Sequence, residues 1–122
     1  MVVPHSVCEI EAEAFANWKC LHQIIFAEDS SLVKIGAKAF CGSGLEAFIA
    51  PNHLKIIESQ AFSECKNMKT VDLDHNLEVI ESNCFEGSGL TTLKISTKSI
   101  NSAAYLLQGC DKIDTVEFKE ES

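Results

Sequence analysis

The chain has 122 residues, a net charge of −8 and 46% hydrophobic residues, so it can form one ordinary domain and is too apolar to be disordered. Its 18 acidic residues outnumber ten basic ones, all of them Lys; an acidic, Arg-free surface argues against nucleic acid and anionic membranes as partners. No apolar run reaches the roughly 18 residues of a membrane span, and Met1-Val2-Val3-Pro4 lacks the basic start and long apolar stretch of a signal peptide.

From Pro4 onward one motif recurs about every 22 residues. Pro4-His5-Ser6-Val7 opens the first copy, followed by Ile10, Ala14-Phe15, Leu21, Ile24 and Phe26. The second copy reads Leu32, Ile35, Ala39-Phe40, Leu45, Phe48 and Ala50. The third reads Leu54, Ile57, Ala61-Phe62, Met68, Val71 and Leu73. The fourth reads Leu77, Ile80, Cys84-Phe85, Leu90, Leu93 and Ile95. A fifth, irregular copy reads Thr97, Ile100, Leu106-Leu107, Ile113, Val116 and Phe118. Self-similarity of this kind marks a solenoid of about five coils, whose inward faces form continuous apolar lanes.

Each copy ends in a Leu-x-x-Val-x-Leu pattern. Its alternating end predicts a short strand, and identical strands stacked coil on coil give a parallel sheet. The Ala-Phe segment is too short for a long helix and predicts one helical or 3₁₀ turn per coil. Copies one, three and five link the Phe lane to the strand through six residues. Copies two and four use five, through Gly42-Ser43-Gly44 and Gly87-Ser88-Gly89. Glycine supplies the positive φ of a tighter turn; with no basic residue inside it, Gly-Ser-Gly reads as a turn and not as a phosphate cradle.

Six Cys in a short chain invite a disulfide framework, but their repeat positions favour buried thiols. Cys65 and Cys110 share a lane two coils apart, about 10 Å at sheet spacing, too far to bond. A bridge between Cys41 and Cys65 in neighbouring coils stays open. Among the four His, His5 and His75 share a loop lane three coils apart, His22 lies on the strand face and His53 stands beside Pro51, so no shared metal centre is expected. No nucleophile–base pair, nucleotide-binding motif or N-x-S/T acceptor is present. Val2-Val3 before Pro4, and Val116 to Phe118 before Lys119-Glu120-Glu121-Ser122, both resemble strands of interrupted coils. The expectation is therefore a single domain over residues 1–122 cut from a longer array.

These residues closely resemble the BspA-like leucine-rich repeats. Pro4-His5-Ser6-Val7 matches the start of that repeat and Ala61-Phe62-Ser63-Glu64-Cys65 its middle, over residues 1 to about 118. Trp18, Ser43 and Ser88 depart from it in the Cys position. The resemblance implies a right-handed leucine-rich-repeat solenoid with a parallel sheet on the concave face. It also implies a surface-displayed or secreted adhesin that binds extracellular-matrix or plasma proteins; no cofactor is expected, because the sequence carries no nucleotide-binding motif.

The outward strand positions are the candidate ligand contacts. One lane reads His22, Glu46, Lys69, Thr91, Asp114; the next Gln23, Ala47, Thr70, Thr92, Thr115; the third Ile25, Ile49, Asp72, Lys94, Glu117. Two readings stand side by side. The charges form a ladder satisfied among themselves, or they form a mixed polar surface with an apolar corner at Ile25 and Ile49. Two functions are weighed likewise: a non-enzymatic protein-binding module at the cell surface, or an intracellular protein-interaction scaffold, towards which reduced thiols and missing glycosylation acceptors lean.

Overall fold

The computed structural model describes residues 1–73, 77–96 and 106–119, excluding the Lys119 side chain. The chain winds through ten short strands: β1 (Val2–Val3), β2 (Glu9–Ile10), β3 (Ile25–Phe26), β4 (Lys34–Ile35), β5 (Ala47–Ile49), β6 (Ile56–Ile57), β7 (Thr70–Asp72), β8 (Val79–Ile80), β9 (Thr92–Ser96) and β10 (Thr115–Lys119). Every pairing is parallel and joins one coil to the next, as a solenoid requires. The sheet expected from the sequence comprises β5, β7, β9 and β10, with β1 and β3 paired beside it. Its register, Phe48 to Val71 to Leu93 to Val116, is that of the repeat alignment.

A second parallel sheet, β2–β4–β6–β8, was not expected. Its strands are two residues long and centre on the Ile lane, Ile10, Ile35, Ile57 and Ile80. The expected helical turns are absent among the described residues. The Ala-Phe arc is a run of hydrogen-bonded turns, as in Ala39 N–H to Gly36 C=O (3.2 Å) and Cys41 N–H to Lys38 C=O (3.1 Å). Intervening N–H groups point along the stack: Phe15 donates to Ala39 C=O (2.7 Å), Phe40 to Ala61 C=O (2.8 Å) and Phe62 to Cys84 C=O (2.8 Å). A helix would turn those donors back on its own chain. Here the neighbouring coil takes them, and Glu13, Lys38, Gln60 and Asn83, each two residues before the Phe, adopt φ of 58–62° to allow it.

Between the two sheets and the arc lies one core. Phe40, Phe62 and Phe85 are fully buried, and their rings stack at 5.3 and 5.5 Å with planes 3° and 9° apart; Phe15 continues the column at 5.4 Å. Such contacts add about 0.5–1.5 kcal/mol each beyond area burial. Leu32, Leu54, Leu77, Leu45, Met68 and Leu90 fill the other lanes. The outermost coils differ from expectation. Val7, Phe15, Ile24, Phe26, Leu107 and Ile113 are only partly buried, and Val116 and Phe118, assigned to the interior, are exposed. Burial thins where a coil lacks a neighbour on one side, although Ile10 and Leu21 in the first coil and Leu106 in the last remain buried. Thr97, Ile100 and His75 lie outside the described residues.

Both linker lengths have a physical counterpart. In the six-residue linkers Cys65 and Cys110 donate Sγ–H to the Phe40 and Phe85 carbonyls (3.1 and 3.3 Å). In the five-residue ones Ser43 and Ser88 accept from the Leu45 and Leu90 N–H groups (3.5 and 3.4 Å). At Gly44 and Gly89 a Cβ would collide with the Lys19 and Lys66 carbonyl oxygens, so the shorter path needs glycine for close approach. All six Cys are free thiols. Cys41 and Cys65 are not bridged, because Cys65 donates to the Phe40 carbonyl while Cys41 Sγ accepts from Ser63 Oγ (3.2 Å).

Candidate functional site

Strand register and coil-to-coil backbone bonds line up nine of the ten candidate residues along the longer-stranded sheet, and Ile25 lies on β3 of the two-stranded sheet beside it. Backbone bonds tie the first lane coil to coil: Glu46 N–H to His22 C=O (3.1 Å), Lys69 to Glu46 (2.9 Å), Thr91 to Lys69 (2.9 Å) and Asp114 to Thr91 (3.0 Å). Strand pairing aligns Ile49, Asp72, Lys94 and Glu117 in the third lane, and Ala47, Thr70, Thr92 and Thr115 between the two. Inward neighbours Phe48, Val71 and Leu93 are buried, so alternation along the strand sends the second and third lanes outward, while the first lane lies just ahead of the strands.

The ladder is partly satisfied. Lys94 Nζ lies 3.9 Å from Glu117 Oε2, with both side chains about half exposed. His22 Nδ1 lies 3.9 Å from Glu46 Oε2 and 3.3 Å from the Gly44 carbonyl, a contact the repeat alignment did not single out. Thr91 Oγ1 donates to Lys69 C=O (3.1 Å) and Thr115 Oγ1 to Asp114 Oδ1 (2.8 Å). An ion pair as long and as wet as Lys94–Glu117 contributes about 0–1 kcal/mol, so an incoming ligand can recruit either partner at little cost.

Ile25 and Ile49 are 46% and 69% exposed and form the apolar corner the sequence suggested. Val2, in register with Ile25 and 68% exposed, extends it by one coil; it was missed because it precedes the first full copy. Ile49 also joins two shallow hollows. One of about 390 Å³ is lined by His22, Gln23, Ile24, Glu46, Ala47 and Ile49; the other, about 180 Å³, by Ile49, Thr70, Val71, Asp72, Thr92 and Lys94. A second missed residue is Trp18, 55% exposed and edge-on to Phe15 at 5.3 Å. Its lane otherwise holds buried Ser43, Cys65, Ser88 and Cys110, and an indole is too large for that slot. An aromatic in a lane of small residues was the available signal.

Burial raises the thiols of Cys65 and Cys110 and pushes Cys84 up to about 12. Such groups stay protonated near neutral pH and are poor nucleophiles. Among the described residues no three His, Cys, Asp or Glu side chains converge on a point that could hold a metal. There is also no helix long and apolar enough to cross a membrane.

A family model described as a BspA type leucine rich repeat region, in 6 copies, matches residues 1–114. Among solved structures, a leucine-rich repeat protein from Bacteroides ovatus ATCC 8483 superposes with a TM-score of 0.75 at 21% identity, covering 97% of this chain and 30% of that one. A leucine rich cell surface protein from Faecalibacterium prausnitzii A2-165 gives a TM-score of 0.69 at 21% identity, covering 99% of this chain and 32% of that one. The chain thus spans about a third of each of these proteins, and at this identity the likeness concerns the fold. No curated protein matches the chain.

Proposed function

Because the chain belongs to the BspA-type leucine-rich repeat family, a group of generally non-catalytic repeats that mediate protein–protein contacts, we propose that it is a protein-binding module of a cell-surface or secreted adhesin. Its ligand contacts are His22, Ile25, Glu46, Ile49, Lys69, Asp72, Thr91, Lys94, Asp114 and Glu117. Extracellular-matrix or plasma proteins are the partner class. The observation that carries this reading is the asymmetry of the longer-stranded sheet. One side packs on the core, and the other presents weakly paired charges around an exposed aliphatic corner. A surface of this kind gives specificity through charge placement and affinity through the few apolar side chains it can desolvate.

The test is binding of the folded chain to immobilised matrix and plasma proteins. Saturable binding weakened by Lys69→Glu or Lys94→Glu supports the reading; no binding to any of them, or binding indifferent to both substitutions, removes it. The six free thiols favour a second reading, an intracellular scaffold using the same face. A partner captured only from a reducing compartment would select it.

A further inference from the structure

The hollow of about 390 Å³ on the sheet face joins an aliphatic side to a carboxylate. It lies beside β3 and β5, and β1 pairs with β3, so a further strand stands beyond it and the hollow belongs to the face of the stack. Its floor is Ala47, the smallest side chain in a lane that otherwise holds Gln23, Thr70, Thr92 and Thr115. Ile49, 69% exposed, stands on one side, and Ile25 continues the aliphatic row by one coil. Glu46 stands on the other. Both neighbouring coils hold its backbone, N–H to His22 C=O (3.1 Å) and C=O from Lys69 N–H (2.9 Å), which fixes the root of the carboxylate.

Glu46 is left without a lysine, and the glycines of the shorter linkers explain why. His22, one coil before it, leans over Gly44, with Nδ1 3.3 Å from the carbonyl oxygen. Lys69, one coil after it, leans over Gly89, with Nζ 3.2 Å from where a Cβ would stand. Each five-residue linker thus draws the first-lane base of the preceding coil onto itself. The coil after Glu46 has the longer linker, with Cys65-Lys66-Asn67 in place of glycine. Among the described residues the charged neighbour of the Glu46 carboxylate is His22 at 3.9 Å, which carries charge only when protonated. Elsewhere on the face Glu117 has Lys94 at 3.9 Å, and Asp114 accepts from Thr115 Oγ1 at 2.8 Å.

We infer that this hollow takes one long basic side chain, Lys or Arg, from the partner protein, with its methylene stem on Ala47 and Ile49 and its cationic head at Glu46. The inference rests on the sheet face being the ligand surface. A basic side chain suits both halves of the hollow, because it carries an apolar stem and a charged head on one group. An acidic one would meet Glu46 like to like. A purely apolar one would strip water from Glu46 and replace it with nothing. The net charge of −8 also draws a cationic segment towards the chain before contact.

Amide chemical shifts of the isotope-labelled 122-residue chain, followed during titration with short peptides, test this. The peptides carry a central Lys, Arg, norleucine or Glu in an otherwise uncharged sequence. The Lys and Arg peptides are expected to shift the amides of residues 22–25 and 46–49 saturably, and added salt to weaken both. Norleucine keeps the stem and loses the charge; its peptide is expected to bind about fivefold more weakly, the upper value for an exposed ion pair, and the Glu peptide not to bind. Glu46→Gln should bring the Lys peptide to the norleucine level. Ala47→Leu, at an exposed position, fills the hollow without touching its charge and should abolish saturable binding of both basic peptides. The inference is overturned if neither basic peptide shifts these amides, or if both variants bind them as the native chain does. A norleucine or Glu peptide that binds as tightly as the Lys peptide also overturns it, by assigning the hollow to an apolar or acidic segment. The two readings fail separately. A matrix or plasma protein bound through Lys69 or Lys94 but indifferent to Glu46→Gln and Ala47→Leu overturns this inference alone. Basic peptides held in the hollow of a chain that binds none of those proteins overturn only the wider reading.

Discussion

Phe48, Val71 and Leu93 point inward from three paired strands; Ile49, Asp72 and Lys94, the very next residues, point outward. Both rows share one backbone register, yet the inner row is uniformly apolar and the outer row changes chemistry at every coil. The difference follows from desolvation. A charge placed inward would lose water with no partner to replace it, at a cost of several kcal/mol. A change outward alters solvated pairs that contribute little. Only the outer row is therefore free to carry recognition, and substitutions in the two rows should differ by severalfold in their effect on stability.

The largest effect is expected at the Phe column. Phe62→Ala removes a fully buried ring stacked on both sides and should destabilise the chain by about 3–5 kcal/mol in urea denaturation. Phe15→Ala, at the half-buried end of the column, should cost clearly less. Equal losses would show that the rings do not act as one packed column.

Next comes pH. Cys84 has its thiol raised from 9.0 to about 12, chiefly by burial. A raised acid favours the folded state in its protonated form, so this stability is fully present below pH 9 and is lost as pH climbs towards 12. The shift corresponds to about 4 kcal/mol at the alkaline limit. Cys84→Ala installs the residue that Ala14, Ala39 and Ala61 provide in the same lane, and should flatten the alkaline decline measured by thermal melts. An unchanged decline would assign it to other groups.

Gly44→Ala should cost more than about 1 kcal/mol, because a methyl there meets the Lys19 carbonyl oxygen. A neutral result in chemical denaturation would mean that the five-residue linker can relax away from the preceding coil. The smallest effect belongs to the outer row. Lys94→Ala should change stability by less than about 1 kcal/mol, measured in the same way; a larger loss would make the ladder structural and weaken its candidacy as a ligand surface.

Much of this architecture was legible because burial repeats. Ile35, Ile57 and Ile80, or Phe40, Phe62 and Phe85, recur at fixed offsets, and the register of the longer-stranded sheet follows from aligning them. The second sheet was not legible, since strands of two residues such as Lys34–Ile35 are too short to show alternation. Nor was the positive φ at Glu13, Lys38, Gln60 and Asn83, where no glycine announces it and the inter-coil hydrogen bonds impose it. Val116 and Phe118 were misassigned because lane membership reports direction, while burial also needs a neighbour. On the outer face, positions were readable and partners were not. His22 meets Glu46 through the rotamers of two solvated side chains, which a repeat alignment does not encode.

The step from Phe15 to Phe40 is three residues longer than the step from Phe40 to Phe62, yet the ring spacing is 5.4 Å in one and 5.3 Å in the other. Pitch and circumference are thus set independently: hydrogen bonds and rings fix the rise per coil, and the rim absorbs any surplus chain. Such an array can lengthen one loop or shorten another without passing through an unfolded intermediate sequence. Drift in repeat length is then compatible with an intact column where the rim sequence permits it, as glycine does in the shorter linkers, and a search that demands a constant period would lose such coils.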